Sequence, residues 1–321
     1  MADARAHCAV QPIVFSGVTP PPVSSTSAEL ARVFEAASVD GYLYARDLGS
    51  GSEIGHRADD LVVLASVFKL AVLLELYRQA ATGTVDLEER VTIPATRRTR
   101  GPTGISMMRH EVSMSWRDLA QIMIAVSDNT ATDVVMERVG LESINALLAR
   151  MGLSETRLVG DCKAVLAEYV AGCGVPIEKL LAGSPIELDP EVMQRNRALL
   201  PSLTTRGTPR QIARLLEVIW SGDLLSKALA DDMRSILLSQ VWPHRLRSGF
   251  AGDVRVAGKT GSLGNVRNEA GIVVYPDGAT YAVAVFTRAR HYLPHAPEAD
   301  AVIGTAALMA VDELRAAAKT A

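Results

Sequence analysis

Three short groups of residues carry the types and spacing that acyl-transfer chemistry requires. They are Ser66-Val67-Phe68-Lys69, Ser127-Asp128-Asn129 and Lys259-Thr260-Gly261, in that order along the chain. A serine hydroxyl is a weak nucleophile until a base removes its proton. Residues i and i+3 at a helix start share a face, so Ser66 Oγ and Lys69 Nζ come within reach of one another. A lysine buried in an apolar helix loses the hydration that favours its charge, and its pKa falls toward the range of a useful base. Free N–H groups at the helix start favour an oxyanion forming beside Ser66. Ser127 offers a hydroxyl from a loop, and Asn129 an amide that both donates and accepts. Gly261, on what reads as an edge strand, lets a substrate lie close to the backbone as an added strand. Lys259, Thr260 and Ser262 supply a charge and two hydroxyls for a substrate carboxylate, and Arg267 on the next strand can reinforce that site.

Each group alone is weak. A Ser-x-x-Lys pair arises by chance on the order of once in a chain of this length. The weight lies in all three occurring in order, each on an element suited to it. Competing sites fall away. His291-x-x-x-His295 has metal-like spacing, but Pro294 breaks the helix that would align the rings. Arg97-Arg98-x-Arg100 reads as a solvated loop. Cys8, Cys162 and Cys173 are too few and scattered for a disulfide framework and read as small semi-buried hydrophobes in a reducing compartment. There is no G-x-S-x-G elbow, P-loop or G-x-G-x-x-G, and neither a metal nor a cofactor is expected.

The elements that must position these groups follow from hydrophobic period. Residues 1–26 are small, polar and proline-rich and form an arm. Ser27 caps a helix bearing Leu30, Val33 and Phe34. The stretch from Asp40, GYLYARDL, alternates as a strand, and a second short strand follows through Ile54. Residues 66–83 are almost continuously apolar and stop at Gly83, which predicts a buried central helix. Ser115 and Thr208 each cap an amphipathic helix. After residue 250 the period returns to two, over Asp253–Ala257, Ala270–Tyr275 and YAVAVFTRAR, with Pro276-Asp277-Gly278 as a hairpin turn. A last helix spans roughly Ala299–Ala318. The predicted architecture is α+β in three layers: an antiparallel sheet of roughly five strands built from both chain ends, flanked by terminal helices. An all-helical insertion (63–244) interrupts the discontinuous α/β part (27–62 and 245–321), and the site lies in the cleft between them.

With 48% hydrophobic and 21% charged residues, the 321-residue chain can bury a sizeable core. Lys plus Arg is 33 against 36 for Asp plus Glu, so no basic excess points to nucleic acid or an anionic membrane. The N-terminus lacks a charged start followed by an apolar run of signal length, and the expected location is the cytoplasm. The expected partner is a small amide or ester substrate carrying a carboxylate, with no obligate protein partner.

The motif set resembles the penicillin-recognising serine enzymes, specifically their class A β-lactamase-like branch. SDNTATD (127–133), TRL (156–158), TPRQIARLL (208–216), GKTGS (258–262) and VRNEAGIVVYPDG (266–278) are similar to class A segments, and the likeness spans roughly residues 28–318. The resemblance implies that Ser66 is acylated with help from Lys69. Ser127 relays a proton to the leaving nitrogen, supported by Lys259, and Asn129 binds the substrate amide. The N–H groups of Ser66 and Ser262 form the oxyanion hole. Class A enzymes also place a water-activating glutamate after the TRL segment. Here Val159-Gly160-Asp161-Cys162 follows, then an enlarged segment to Pro209. Asp161, as a shorter substitute, and Glu191, as a displaced base, are the candidates, and deacylation is expected to be slow. Three readings follow: an acyl-enzyme hydrolase of β-lactams or related cyclic or peptide-like amides, a D-Ala-D-Ala-type carboxypeptidase or esterase, and a sensor that stays acylated.

Overall fold

A computed structural model describes residues 25–175, 189–290 and 296–320. Residues 1–24 of the expected arm and the His291/His295 pair lie outside the described residues, and the first helix begins at Ser25, so Ser27 lies within it and is not its cap. One five-stranded antiparallel sheet organises the chain, in the order β2-β1-β9-β8-β7. Its strands are β1 (Val39–Asp47), β2 (Glu53–His56), β7 (Arg255–Leu263), β8 (Val266–Val274) and β9 (Thr280–Ala289). β1 pairs with β9, Val39 facing Ala289, so both ends of the chain are woven into one sheet as expected. The period of two divides β9 between two cores. Ala282, Ala284 and Phe286 face the helices on one side, and Tyr281, Val283 and Val285 the other. Helices α1 (Ser25–Ala36) and α10 (Pro297–Thr320) cover that second face.

The first face packs against the helical part of the chain. Its centre is α2 (Lys69–Ala81), buried all round through Leu70, Val72, Leu73, Leu74, Leu76 and Tyr77. Each such side chain contributes about 1.5–3 kcal/mol of hydrophobic stabilisation. Around it stand α3 (Trp116–Ala125), α4 (Asn129–Val139), α5 (Leu141–Arg150), α8 (Pro209–Ser221) and α9 (Lys227–Leu238), of which α8 lies directly against the sheet. Ser115 accepts from Asp118 N–H and Thr208 from Gln211 N–H, as their cap sequences predict. Short pairs β3–β6 (Val62–Val63 with Arg206–Gly207) and β4–β5 (Arg90–Ile93 with Val112–Ser115) brace the loops. The enlarged segment holds α6 (Cys162–Gly172) and α7 (Pro190–Arg195). Among the described residues no helix is long and apolar enough to cross a membrane.

The predicted helix over 66–83 is corrected at its start. Ala65–Phe68 form a 3₁₀ turn, and the α-helix begins only at Lys69. Side chains at i and i+3 eclipse in a 3₁₀ turn, which puts Ser66 and Lys69 on one side of it, while the hydrogen bonds of Lys69 Nζ run to Ser127, Asp128 and Asn129.

Candidate active site

The turn that carries Ser66 is held in a conformation that an isolated chain avoids. Ala65 has φ +45°, left-handed for a residue with a side chain, at a typical cost of about 1–3 kcal/mol. Asn268, fully buried on β8, donates from Nδ2 to the carbonyls of Val63 (2.8 Å) and Leu64 (3.2 Å) and ties the turn to the sheet. Gly261 completes the clamp. A Cβ there would lie 2.7 Å from Leu64 O and 3.2 Å from Ser66 N. The need for glycine is thus set first by the protein's own Ser66 turn, which packs directly on β7.

Lys69 has no exposed surface, and burial lowers its pKa. Its Nζ donates to Ser127 O at 2.8 Å, Asn129 Oδ1 at 2.9 Å and Ser127 Oγ at 3.2 Å. Burial shifts Lys69 toward the neutral amine, whose lone pair can take a hydroxyl proton. Ser127 itself has φ +62°, a second left-handed residue at the site. Asp128 explains how it is held. Its buried carboxylate caps α4 through Ala131 N–H (2.7 Å) and accepts from Ser106 N–H (3.2 Å). Asn129 donates to Arg100 O at 2.9 Å, which orients its amide along the cleft wall.

β7 forms the opposite wall. Lys259 is also fully buried, and burial together with the nearby Lys69 and Arg245 charges drives its pKa well below the ordinary value. Its Nζ donates to Thr260 O at 2.8 Å. Arg245 is a functional candidate that motif reading missed. It is 5% exposed, ion-pairs with Asp300 at 2.6 Å, and donates to the carbonyls of Gly261 and Asn268 and to Ser262 Oγ (2.7 Å). These bonds fix the guanidinium beside Thr260 and Ser262 at the cleft wall. Only the Trp242-Pro243-His244-Arg245 cluster hints at it in the sequence. Arg267 does not share that place: its guanidinium donates to Gly264 O and Val266 O and lies outside the lining of the cleft. The residue closing a strand turn needs its own carbonyls satisfied, and Arg267 serves that purpose.

The cleft of about 810 Å³ is lined by Ser66, Ser127, Asn129, Thr260, Ser262 and Arg245, among others. Ser66 also borders a second space of about 60 Å³ beneath α6, shared with Cys162, Leu166 and Thr205. Among the described residues no Asp or Glu lines either space. Asp161 is turned away: its carboxylate caps α6 by accepting from Ala164 N–H at 2.8 Å, and it borders a separate cavity. Glu191 lies on the exposed face of α7, 80% accessible and loosely paired with Arg195. Neither carboxylate is brought to Ser66. Cys162 borders the space beside Ser66 together with Val165, Leu166, Thr204 and Thr205, and it lies close enough to Lys69 to feel its charge. Its thiol is 5% exposed and is pushed up to about 12 by burial.

Ser66, Ser127 and Arg245 line one cleft of an α+β fold, with Lys69 and Lys259 buried beside it. The sequence profile of the Beta-lactamase enzyme family matches residues 25–314, and the chain belongs to that family. The chain is 28% identical over 303 residues to the β-lactamase regulatory protein BlaB of Streptomyces cacaoi, covering 89% of this chain and 96% of that protein. It is 27% identical over 303 residues to a β-lactamase of Amycolatopsis lactamdurans, covering 92% and 87%. Among solved structures it resembles PBP-A, with a TM-score of 0.73 at 22% identity over 93% of this chain and all of the other. The fold is the class A β-lactamase and penicillin-binding-protein fold.

Proposed function

We propose that this protein acylates itself at Ser66 with a β-lactam or a related carboxylate-bearing amide and releases the product slowly. The observation that carries the reading is an asymmetry. Ser66, Ser127, Asn129, Thr260 and Ser262 share one cleft, while among the described residues of the loop the space beside Ser66 is bordered by Cys162 and by no carboxylate. In acylation, Ser66 Oγ attacks the amide carbonyl and its proton passes to neutral Lys69. The oxyanion that forms is met by the N–H groups of Ser66 and Ser262. The C–N bond then breaks as Ser127 delivers a proton to the nitrogen, replenished from the Lys69 and Lys259 side. Arg245, Thr260 and Ser262 hold the carboxylate. Hydrolysis of the ester needs a base for water, and a thiol pushed up to about 12 does not serve at neutral pH. A relative named for regulation and another named for hydrolysis bracket this behaviour.

Incubation with a chromogenic β-lactam tests it. The expected result is a burst of about one product per protein followed by slow turnover. Intact mass should show one adduct on the wild type and none on Ser66→Ala. A linear progress curve with no detectable adduct identifies an efficient hydrolase. Turnover of a D-alanyl-D-alanine ester, with no β-lactam adduct, identifies the carboxypeptidase or esterase reading.

A further inference from the structure

Glu269 lies outside the acylation scheme, yet it is fully buried on β8 directly opposite Thr260 of the substrate-binding strand. Both of its oxygens are engaged by a single stretch of irregular chain. Oε1 accepts from Gln240 Nε2, and Oε2 accepts from Leu246 N–H at 2.7 Å. Gln240 and Leu246 bracket the segment that carries Trp242, His244 and Arg245 into the cleft. The middle of that segment has one backbone bond to the helical part, Val241 N–H to Ala125 O at 3.2 Å, and Val241, Pro243 and His244 are exposed. Gln240 is oriented as well as held. Its Oε1 accepts from Thr260 N–H at 2.7 Å, which obliges its amide nitrogen to turn to Glu269.

We propose that Glu269 is a positioning residue: one buried carboxylate staples both ends of the 240–246 segment to β8 and so sets where Arg245 meets a substrate carboxylate. The proposal rests on the acyl-transfer reading above for its kinetic consequence, and on bonding alone for its structural one. Both partners donate to it, so only the ionised carboxylate satisfies both at once. A glutamine at this position keeps the shape but has one acceptor oxygen, so its amide nitrogen opposes either Gln240 Nε2 or Leu246 N–H. Removing the charge also touches neighbouring groups. Lys259 on β7 and Arg245 at the segment's end face Glu269, and Lys69 faces Lys259. The test must therefore separate an effect through Arg245 from one through the lysines.

Two probes and one double-mutant cycle do this. Acylation rates are compared for a penicillin and for its neutral carboxylate ester, in the wild type and in Glu269→Gln. Because a 1 Å misplacement costs up to about 10²-fold, a loosened staple should slow the free carboxylate by on the order of tenfold and leave the ester nearly unchanged. In an Arg245→Ala background the Glu269→Gln effect should vanish. Equal slowing of both probes, or an effect that persists without Arg245, overturns the proposal in favour of a charge effect on Lys259. Hydrogen exchange of peptides covering 240–246 gives a readout independent of acylation, with faster exchange expected in Glu269→Gln. Unchanged protection there refutes the staple. A wild type that neither probe acylates, with the exchange result intact, refutes the functional reading instead.

Discussion

Replacing Cys162 by glutamate should convert a slow acyl-enzyme into one that turns over. Cys162 opens α6 with its thiol toward the space shared with Ser66. That space is about 60 Å³, and a water needs roughly 10–15 Å³ of it, so a longer side chain and a hydrolytic water both fit. The new carboxylate would meet the Lys69 side chain, whose charge already acts at this position. Asp133 opposes it modestly, since that carboxylate accepts from Cys162 N–H at 2.7 Å. A positioned general base contributes about 10²–10⁴-fold, or roughly 3–5 kcal/mol of barrier at 1.36 kcal/mol per factor of ten. The adduct should therefore shorten its lifetime by at least about 10²-fold in Cys162→Glu, read by intact mass after removal of excess β-lactam. Cys162→Gln, similar in volume and without a base, should leave the lifetime near that of the wild type. An unchanged lifetime in a Cys162→Glu protein that folds and acylates at the wild-type rate would falsify the claim that deacylation lacks only a base. Equal gains from glutamine and glutamate would assign the effect to packing.

Lys69→Arg keeps a cation but supplies no proton acceptor, and stopped-flow acylation should fall by at least about 10²-fold. In the wild type the acylation rate should rise with pH as Lys69 loses its proton, and level off below the range where ordinary lysines titrate, because burial lowers that pKa; a rise continuing to the ordinary value would contradict the buried-base role. Gly261→Ala would place a Cβ 2.7 Å from Leu64 O, so thermal melts should report a loss of about 1–3 kcal/mol and acylation should fall with it. Burial raises the Glu269 pKa from 4.5 to about 7, so the folded state holds that proton more tightly than the unfolded chain. Measured against Glu269→Gln, wild-type stability should decline between about pH 4.5 and 7, by up to about 3 kcal/mol, and a flat difference would show that the carboxyl titrates normally.

Much of this molecule is legible in its sequence because the signals are local. Alternation marks β1, β8 and β9, and Ser115 and Thr208 announce their helices by chemistry completed within three residues. The triplets around Ser66, Ser127 and Lys259 are equally local. Arg245 and Asn268 are different, since each matters through partners far along the chain, at Asp300 and at Val63 and Leu64. Asp161 illustrates a competition that local reading can resolve. An aspartate one residue before a helix gives its carboxylate to the N–H three residues on, and Ala164 takes it here. Once Asp161 is the cap, the next residue turns inward, and that residue is Cys162. Arg267 was expected in the cleft from strand adjacency alone, which fixes a residue's register but not where a long side chain finds acceptors.

The pairing of β1 with β9 has a consequence for how the protein is made. Val39 meets Ala289 across almost the whole length of the chain, and closing a loop of that size costs on the order of 5 kcal/mol before the pairing returns anything. During synthesis β1 emerges with β2 long before β9, so its other edge must wait unpaired, with the turn carrying Ser66 lacking both Asn268 and Gly261. Neither the strain at Ala65 nor the lowered lysines can exist in that state. If Ser66 is acylated as proposed, a nascent or truncated chain should carry it as an ordinary serine, and reactivity is expected only once the C-terminal hairpin has closed the sheet. A labelled β-lactam added to ribosome-bound chains of increasing length would report the moment of that closure.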